Sequence, residues 1–199
     1  MSRLWQYNDA MNCIIGLGNP EPQFDRTRHN AGFMILNQLA PKMVMGEFTE
    51  NKKCRAEIAK KKIGPREFLL VKPMVYMNES GISVRAVMDY YKITESSDLI
   101  QPDWHQRLFV IHDDLDLPLG TFKIQFGTGP KLHNGLLSVY QHLGTKNFWH
   151  VRVGVDGRSG ERVIPPPTYV TQHFSENELG VFAVTRHEVI EKLTAQLGV

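Results

Sequence analysis

Apolar residues punctuate this chain in short bursts separated by turn residues. Asn12 to Leu17 is a compact apolar run closed by Gly16, Gly18 and Pro20, the signature of a short buried strand. Ala31, Met34, Ile35 and Leu39 then recur at helical spacing, with Thr27 placed to cap and Pro41 past the end. Arg55 to Lys60 and Glu67 to Val71 predict two strands joined through Gly64-Pro65. Asn78 or Ser80 could cap a helix whose inner face is Val84, Val87, Met88 and Tyr91. Arg107 to His112 is an apolar strand, and Thr121 to Phe126 alternates as another. A glycine-rich loop, 127–135, leads into a helix through Leu136, Val139, Tyr140 and Leu143, and His150 to Val155 predicts a further strand. The polar, proline-rich GRSGERVIPPP segment, 157–167, reads as a lid-like loop. Ser175 and Glu178 form a capping box for a last helix.

Strands alternating with helices, and one early hairpin, predict a single α/β domain: a twisted mixed β-sheet surrounded by α-helices, spanning 12–199 after an N-terminal extension, 1–11. At 199 residues the chain can bury a core without covalent staples. No apolar run approaches the roughly 18 residues of a transmembrane helix. The two cysteines, Cys13 and Cys54, form no CxxC or zinc spacing, which favours a reducing compartment. The net charge of +2 permits an anionic partner without demanding one. The densest basic stretch, 51–66, is either a solvated hairpin with lysines at an exposed edge or a phosphate-contacting patch.

Two nucleotide signatures can be set aside. Gly16 and Gly18 begin a dinucleotide fingerprint, but Glu21 takes the place of its third glycine and no acid closes a second strand. Gly-Lys-Ser/Thr is absent. What remains is a strand presenting Asn19 at the edge where α/β clefts form.

His29, between Arg28 and Asn30, is one candidate for chemistry; the segment IHDDLDLPLG, 111–120, is another. On an extended strand His112 and Asp114 face one way and Asp113 the other; an acidic turn is the competing reading. A calcium loop fails, because its twelfth position counted from Asp114 is Gln125. YMNESG, 76–81, and KLHNG, 131–135, supply Asn78, His133 and Asn134; both asparagines could simply be helix caps. No activated serine or cysteine motif is present, so a hydrolase built from this set would use water. Histidine would deprotonate it, a carboxylate would hold the imidazole in the right tautomer, and asparagine amides would bind the carbonyl.

The ordered set GLGNP, TRHNAG, MN-x-SG, HDDLDLPLG, HNGL, QHLGT and RVGV resembles the bacterial-type peptidyl-tRNA hydrolase family, from Asn12 to the last helix. The resemblance implies a monomer without metal or cofactor that cleaves the ester between peptide and tRNA and so recycles tRNA from aborted translation. It implies His29 as general base, Asp113 as its orienting carboxylate, and Asn19 as the residue separating peptidyl from free aminoacyl groups. Tyr76, Met77, Asn78, His133 and Asn134 would line the cleft for the peptide and the 3′ end, and Lys123 and Arg152 would meet tRNA phosphates. No membrane partner is implied, and the expected location is the cytoplasm, with the mitochondrial matrix as alternative.

The chain also departs from the family pattern. Glu21 stands for a glycine after Asn-Pro, and Phe24, still expected at the cleft, stands for a tyrosine. The loop GTGPKLHNG carries Pro130, Lys131 and Leu132 in place of His-Gly-Gly, and Gln125 replaces a second basic residue near Lys123. These traits point to a divergent member, eukaryotic or organellar. A non-catalytic RNA-binding relative, like some plant organelle splicing factors, is the alternative, and a nucleotide-dependent oxidoreductase is disfavoured by Glu21.

Overall fold

The computed structural model describes residues 11–94, 104–158 and 163–199. Residues 1–10 of the expected extension and 159–162 of the expected lid loop lie outside these. Seven strands form one sheet: β1 (Met11–Gly16), β2 (Thr49–Asn51), β3 (Ala56–Ile63), β4 (Arg66–Pro73), β5 (Leu108–Pro118), β6 (Phe122–Phe126) and β7 (Trp149–Asp156). Their order is β2-β3-β4-β1-β5-β7-β6. The central strands β4, β1, β5 and β7 run parallel, and β2, β3 and β6 are antiparallel to their neighbours. The sheet is therefore mixed, as the alternating pattern predicts.

Helices cover both faces, which is why the central strands read as near-continuous apolar runs. Alternation along β1 sorts its side chains. Ile14 joins Leu36 and Leu39 of α1 (Ala31–Lys42) and Phe182 and Leu193 of α5 (Glu176–Leu197) in one core. Cys13 and Ile15 join Val84 and Val87 of α2 (Ser80–Tyr90) and Leu136 and Val139 of α3 (Asn134–Leu143) in the other. Both cysteines are buried and unpaired, and burial pushes the Cys13 thiol up to about 12.

The polypeptide leaves β1 toward α1 on one face and leaves β4, its neighbour, toward α2 on the other. This divergence opens a crevice beyond the carboxyl ends of β1, β4 and β5, where α/β sheets place their sites. Gly16 and Gly32 let α1 approach β1 and β5 closely. A Cβ on Gly32 would lie 2.5 Å from the Leu17 backbone and 2.6 Å from the Ile111 carbonyl.

Several sequence expectations need correction. Pro41 lies inside the last turn of α1, where it forgoes one helical N–H bond, and the helix ends one residue later. Thr27 caps no helix; its hydroxyl donates to the Phe24 carbonyl, and a 3-10 turn, Arg28–Asn30, precedes α1. Neither Asn78 nor Ser80 caps α2, because a second 3-10 turn, Met77–Glu79, intervenes and the Ser80 hydroxyl donates to Met77 O. β5 continues through the acidic segment to Pro118 instead of turning. The end of the expected lid loop is helical: α4 spans Pro166–Thr171, with prolines in its first turn where no N–H is needed. β2 was not foreseen. The capping box of α5 is present as expected.

Candidate active site

The crevice is a cleft of about 570 Å³ lined by Asn19, His29 and Asp113 together with residues from four further segments. Asn19 follows β1, His29 sits in the turn before α1, and Tyr76 to Asn78 follow β4; Asp113 is in the middle of β5, two residues past the point where β1 stops pairing with it.

Asp113 is the hub. Its Oδ1 lies 2.7 Å from His29 Nδ1 and 2.9 Å from His133 Nε2. Its side chain is 3% exposed, against 12% for His29. Burial alone would push this carboxyl up; the His29 and His133 charges and hydrogen bonds outweigh it and hold Asp113 below the usual carboxylate range. As a carboxylate it accepts both bonds, so His29 carries its proton on Nδ1 and presents an Nε2 lone pair. His133, not Asn134, caps α3: its Nδ1 accepts from the Leu136 backbone N–H at 3.3 Å. That leaves the His133 proton on Nε2, pointing at Asp113.

Behind this group lie two further buried histidines. His112 Nδ1 donates to the Asp113 carbonyl at 3.0 Å. Burial, helped by the His133 charge, pushes His112 well below the usual imidazole range, and burial pushes His150 down to about 4. Both are neutral at physiological pH.

Asn30, missed as a functional residue, sets Asn19. Its Oδ1 accepts from Asn19 N at 2.8 Å and its Nδ2 donates to Asn19 O at 2.9 Å. Asn19 Oδ1 in turn accepts from Met77 N at 2.8 Å, so the orientation of its amide is fixed and Nδ2 remains as a donor. Nothing in sequence spacing marks Asn30 for this task, because it imitates a strand neighbour with its side chain.

Arg28 ties α4 to the turn bearing His29. Its Nη2 reaches both oxygens of Glu178 at 2.8 Å, and Nη1 donates to the Tyr169 and Gln172 carbonyls at 3.2 and 3.3 Å. The guanidinium lies 4.0 Å over the Tyr169 ring.

Of the residues singled out in the sequence, Phe24, Tyr76, Met77, Asn78, His133 and Asn134 all line the cleft beside the catalytic candidates. Glu21 lies beside Tyr76 and, more than any other cause, pushes that phenol up. Lys123 and Arg152 stand opposite each other on β6 and β7, outside the cleft lining. Lys123 is exposed, but Arg152 is mostly buried, its Nε donating to Asp114 at 2.7 Å and its Nη1 to Gln125 at 2.9 Å. Gln125, which departs from a basic residue, is therefore a ligand for that guanidinium. Lys52 and Lys53 are exposed beside the edge strand β2.

The His29, Asp113 and His133 donor atoms are the one metal-compatible group among the described residues, within 4.8 Å of one another. Their 2.7 and 2.9 Å contacts to Oδ1 are hydrogen-bond lengths, shorter than the roughly 3.3 Å between ligands that tetrahedral Zn–N/O bonds of about 2.0–2.1 Å require. The set fits proton handling better than metal ligation.

Residues 13–198 match the family model described as peptidyl-tRNA hydrolase. A peptidyl-tRNA hydrolase of Mycobacterium ulcerans (strain Agy99) is 39% identical over 165 residues, 83% of this chain and 80% of the relative. One from Pediococcus pentosaceus is 37% identical over 174 residues, covering 87% and 86%. The crystal structure of peptidyl-tRNA hydrolase from Acinetobacter baumannii superposes with a TM-score of 0.78 at 29% identity, covering 95% of this chain and 89% of that one.

Proposed function

Since the chain belongs to the peptidyl-tRNA hydrolase family, and so cleaves the ester between peptide and tRNA and recycles tRNA from aborted translation, we propose that His29 is the general base of that hydrolysis. The observation that carries this reading is the 2.7 Å contact between His29 Nδ1 and a buried Asp113 carboxylate. Nε2 takes a proton from water as the oxygen attacks the ester carbonyl, and Asp113 supports the imidazolium that forms. His29 then returns the proton to the departing ribose 3′ oxygen.

The fixed amide of Asn19 and the side chains of Asn78 and Asn134 supply neutral donors for the substrate carbonyls and the developing oxyanion. Each well-aimed donor contributes about 2.7–4 kcal/mol to lowering the barrier. The same amides explain selectivity. A peptidyl group offers an amide that such donors and acceptors satisfy, whereas a free ammonium would be desolvated without a carboxylate of its own. The one carboxylate in the cleft lining, Asp113, is already shared by two histidines.

The site is complete within one chain, which supports a monomer acting on peptidyl-tRNA, with Lys123 the exposed cation for its phosphates. Among the described residues no helix is long and apolar enough to cross a membrane. Two free, buried thiols suit a reducing compartment such as the cytoplasm.

The test is release of amino acid from N-acetylated and free aminoacyl-tRNA, with and without chelator. Release from the blocked ester alone, insensitive to chelator, is expected. His29→Ala should slow it by about 10²–10⁴-fold while tRNA binding persists, and Asp113→Asn should also slow it strongly. A His29→Ala enzyme as fast as the unmodified protein would remove the base from the mechanism.

A further inference from the structure

His112 does not line the cleft, yet its imidazole is fully buried against His133, which does. Its place follows from how the sheet ends. Carbonyls along a strand point alternately to its two sides. The Ile111 carbonyl points toward β1, since it accepts from Leu17 N at 2.9 Å. The Asp113 carbonyl, two residues on, points the same way, but the last pair of β1 with β5 is Gly16 and Ile111. On the other side β7 continues alongside Asp113 and Asp114. The strand that bears the cleft carboxylate is thus paired on one side and open on the other. A buried carbonyl left open needs a donor. His112 supplies it, with Nδ1 3.0 Å from Asp113 O. The other ring nitrogen, Nε2, is buried with no hydrogen-bond partner among the described residues. An unsatisfied nitrogen in the interior is a cost that an apolar side chain would avoid, so what this imidazole contributes is its Nδ1 bond. The ring also meets that of His133 edge to face, with centroids 5.4 Å apart, and His133 is the second donor to Asp113 Oδ1.

We propose that His112 is a positioning residue for the hydrolysis: its Nδ1–H stands in for the missing strand neighbour, fixes the peptide plane that follows Asp113, and so sets the direction in which the carboxylate meets His29. This role rests on the reading of His29 and Asp113 as the base and its orienting carboxylate. His112 itself stays off the substrate and acts only through Asp113. The 2.7 Å bond between His29 and Asp113 leaves little room for displacement, and moving a reacting group by about 1 Å can cost on the order of 10²-fold in rate. Because the carbonyl bond governs geometry and not contact with the ester, its loss falls on kcat and leaves KM in place.

Three variants at this one position make the test. Asparagine can place an amide N–H where Nδ1 stands. Glutamine, closer to histidine in size, places it nearer Nε2, where no acceptor lies among the described residues. Leucine has no donor. The assay is release of amino acid from N-acetylated aminoacyl-tRNA, with kcat corrected for the folded fraction by urea unfolding of each variant. His112→Leu and His112→Gln should lose about 10–100-fold in kcat with KM changed by less than about twofold, and His112→Asn should recover to within about threefold of the unmodified protein. A side chain that only fills space would favour glutamine over asparagine, so a kcat in His112→Gln equal to or above that in His112→Asn would overturn the proposal. So would an undiminished kcat in His112→Leu, a loss carried by KM instead of kcat, or a His112→Asn protein that does not fold. If His112→Leu alone does not fold, the asparagine and glutamine variants decide. A His29→Ala enzyme as fast as the unmodified protein would remove the reading of the base beneath the proposal, a result separate from any ranking at position 112.

Discussion

Replacing Arg28 with methionine tests whether the turn that bears His29 depends on α4. The Arg28 side chain is 7% exposed and that of its partner Glu178 17%. The substitution removes the Nη2 contacts to both Glu178 oxygens, two hydrogen bonds to backbone carbonyls and a ring contact at 4.0 Å. Breaking a fully buried pair costs about 3–5 kcal/mol. Glu178 keeps the Ser175 backbone N–H at 2.7 Å and sees some solvent, so a loss of about 2–4 kcal/mol is expected here. For a domain of this size that corresponds to roughly 5–15 °C in Tm. The pH dependence has a definite sign. Burial would push Glu178 up, but hydrogen bonds from Arg28 and Ser175 outweigh it and hold the carboxyl down. A depressed carboxyl contributes stability above its unfolded value, and that contribution fades as pH falls through the folded value. The gap between Arg28→Met and the unmodified protein should therefore be widest near pH 7 and narrow below roughly pH 4–5. Urea unfolding at both pH values measures it, and KM should rise because α4 forms a cleft wall. A loss under about 1 kcal/mol at pH 7, or a gap that widens in acid, would refute the reasoning.

Gly32→Ala forces a methyl group into the Leu17 and Ile111 backbone at 2.5–2.6 Å and should cost about 3 kcal/mol in urea unfolding, with activity falling as α1 shifts away from β1. Lys123→Ala should lower the slope of log affinity for tRNA against log salt by about one, whereas Arg152→Ala should act chiefly on Tm because its charge is engaged within the fold; fluorescence anisotropy and thermal melts separate the two. Asn30→Ala frees the Asn19 backbone and should erode discrimination between N-acetylated and free aminoacyl-tRNA more than it erodes stability, seen as a falling ratio of the two release rates.

What was legible in the sequence was what local pattern encodes. The buried parallel strands announce themselves as apolar runs, and the Ser175–Glu178 capping box spans only three positions. The short charged edge strand β2 has no such pattern; it exists because β3 offers it a partner. The acidic segment looked like a possible turn because carboxylates seldom sit inside a sheet. It stays extended because β7 pairs alongside it and each buried carboxylate finds a cation or a proton donor, Asp114 from Arg152 and Asp113 from two imidazoles. The nearness of His29 to Asp113, 84 positions apart, cannot be read from spacing; the resemblance supplied the pairing and the geometry then showed it. Arg28 and Asn30 flank His29 in sequence, and both proved to be structural partners of the site without any local signal to mark them.

A carboxylate oxygen shared by two imidazoles raises the question of which one works as the base. The answer lies in what each imidazole does with its other nitrogen. His133 Nδ1 receives the Leu136 backbone N–H at the start of α3. To accept a proton there it would have to give up a cap, which costs roughly 1 kcal/mol. The cap therefore ties His133 Nδ1 to α3, while its Nε2 holds Asp113. His29 has no such tie. Its Nδ1 is bonded to Asp113, its ring borders the cleft, and its Nε2 is left for water. The helix cap thus ties up one histidine and leaves the other for the proposed role of base, although both bond the same oxygen at nearly the same distance.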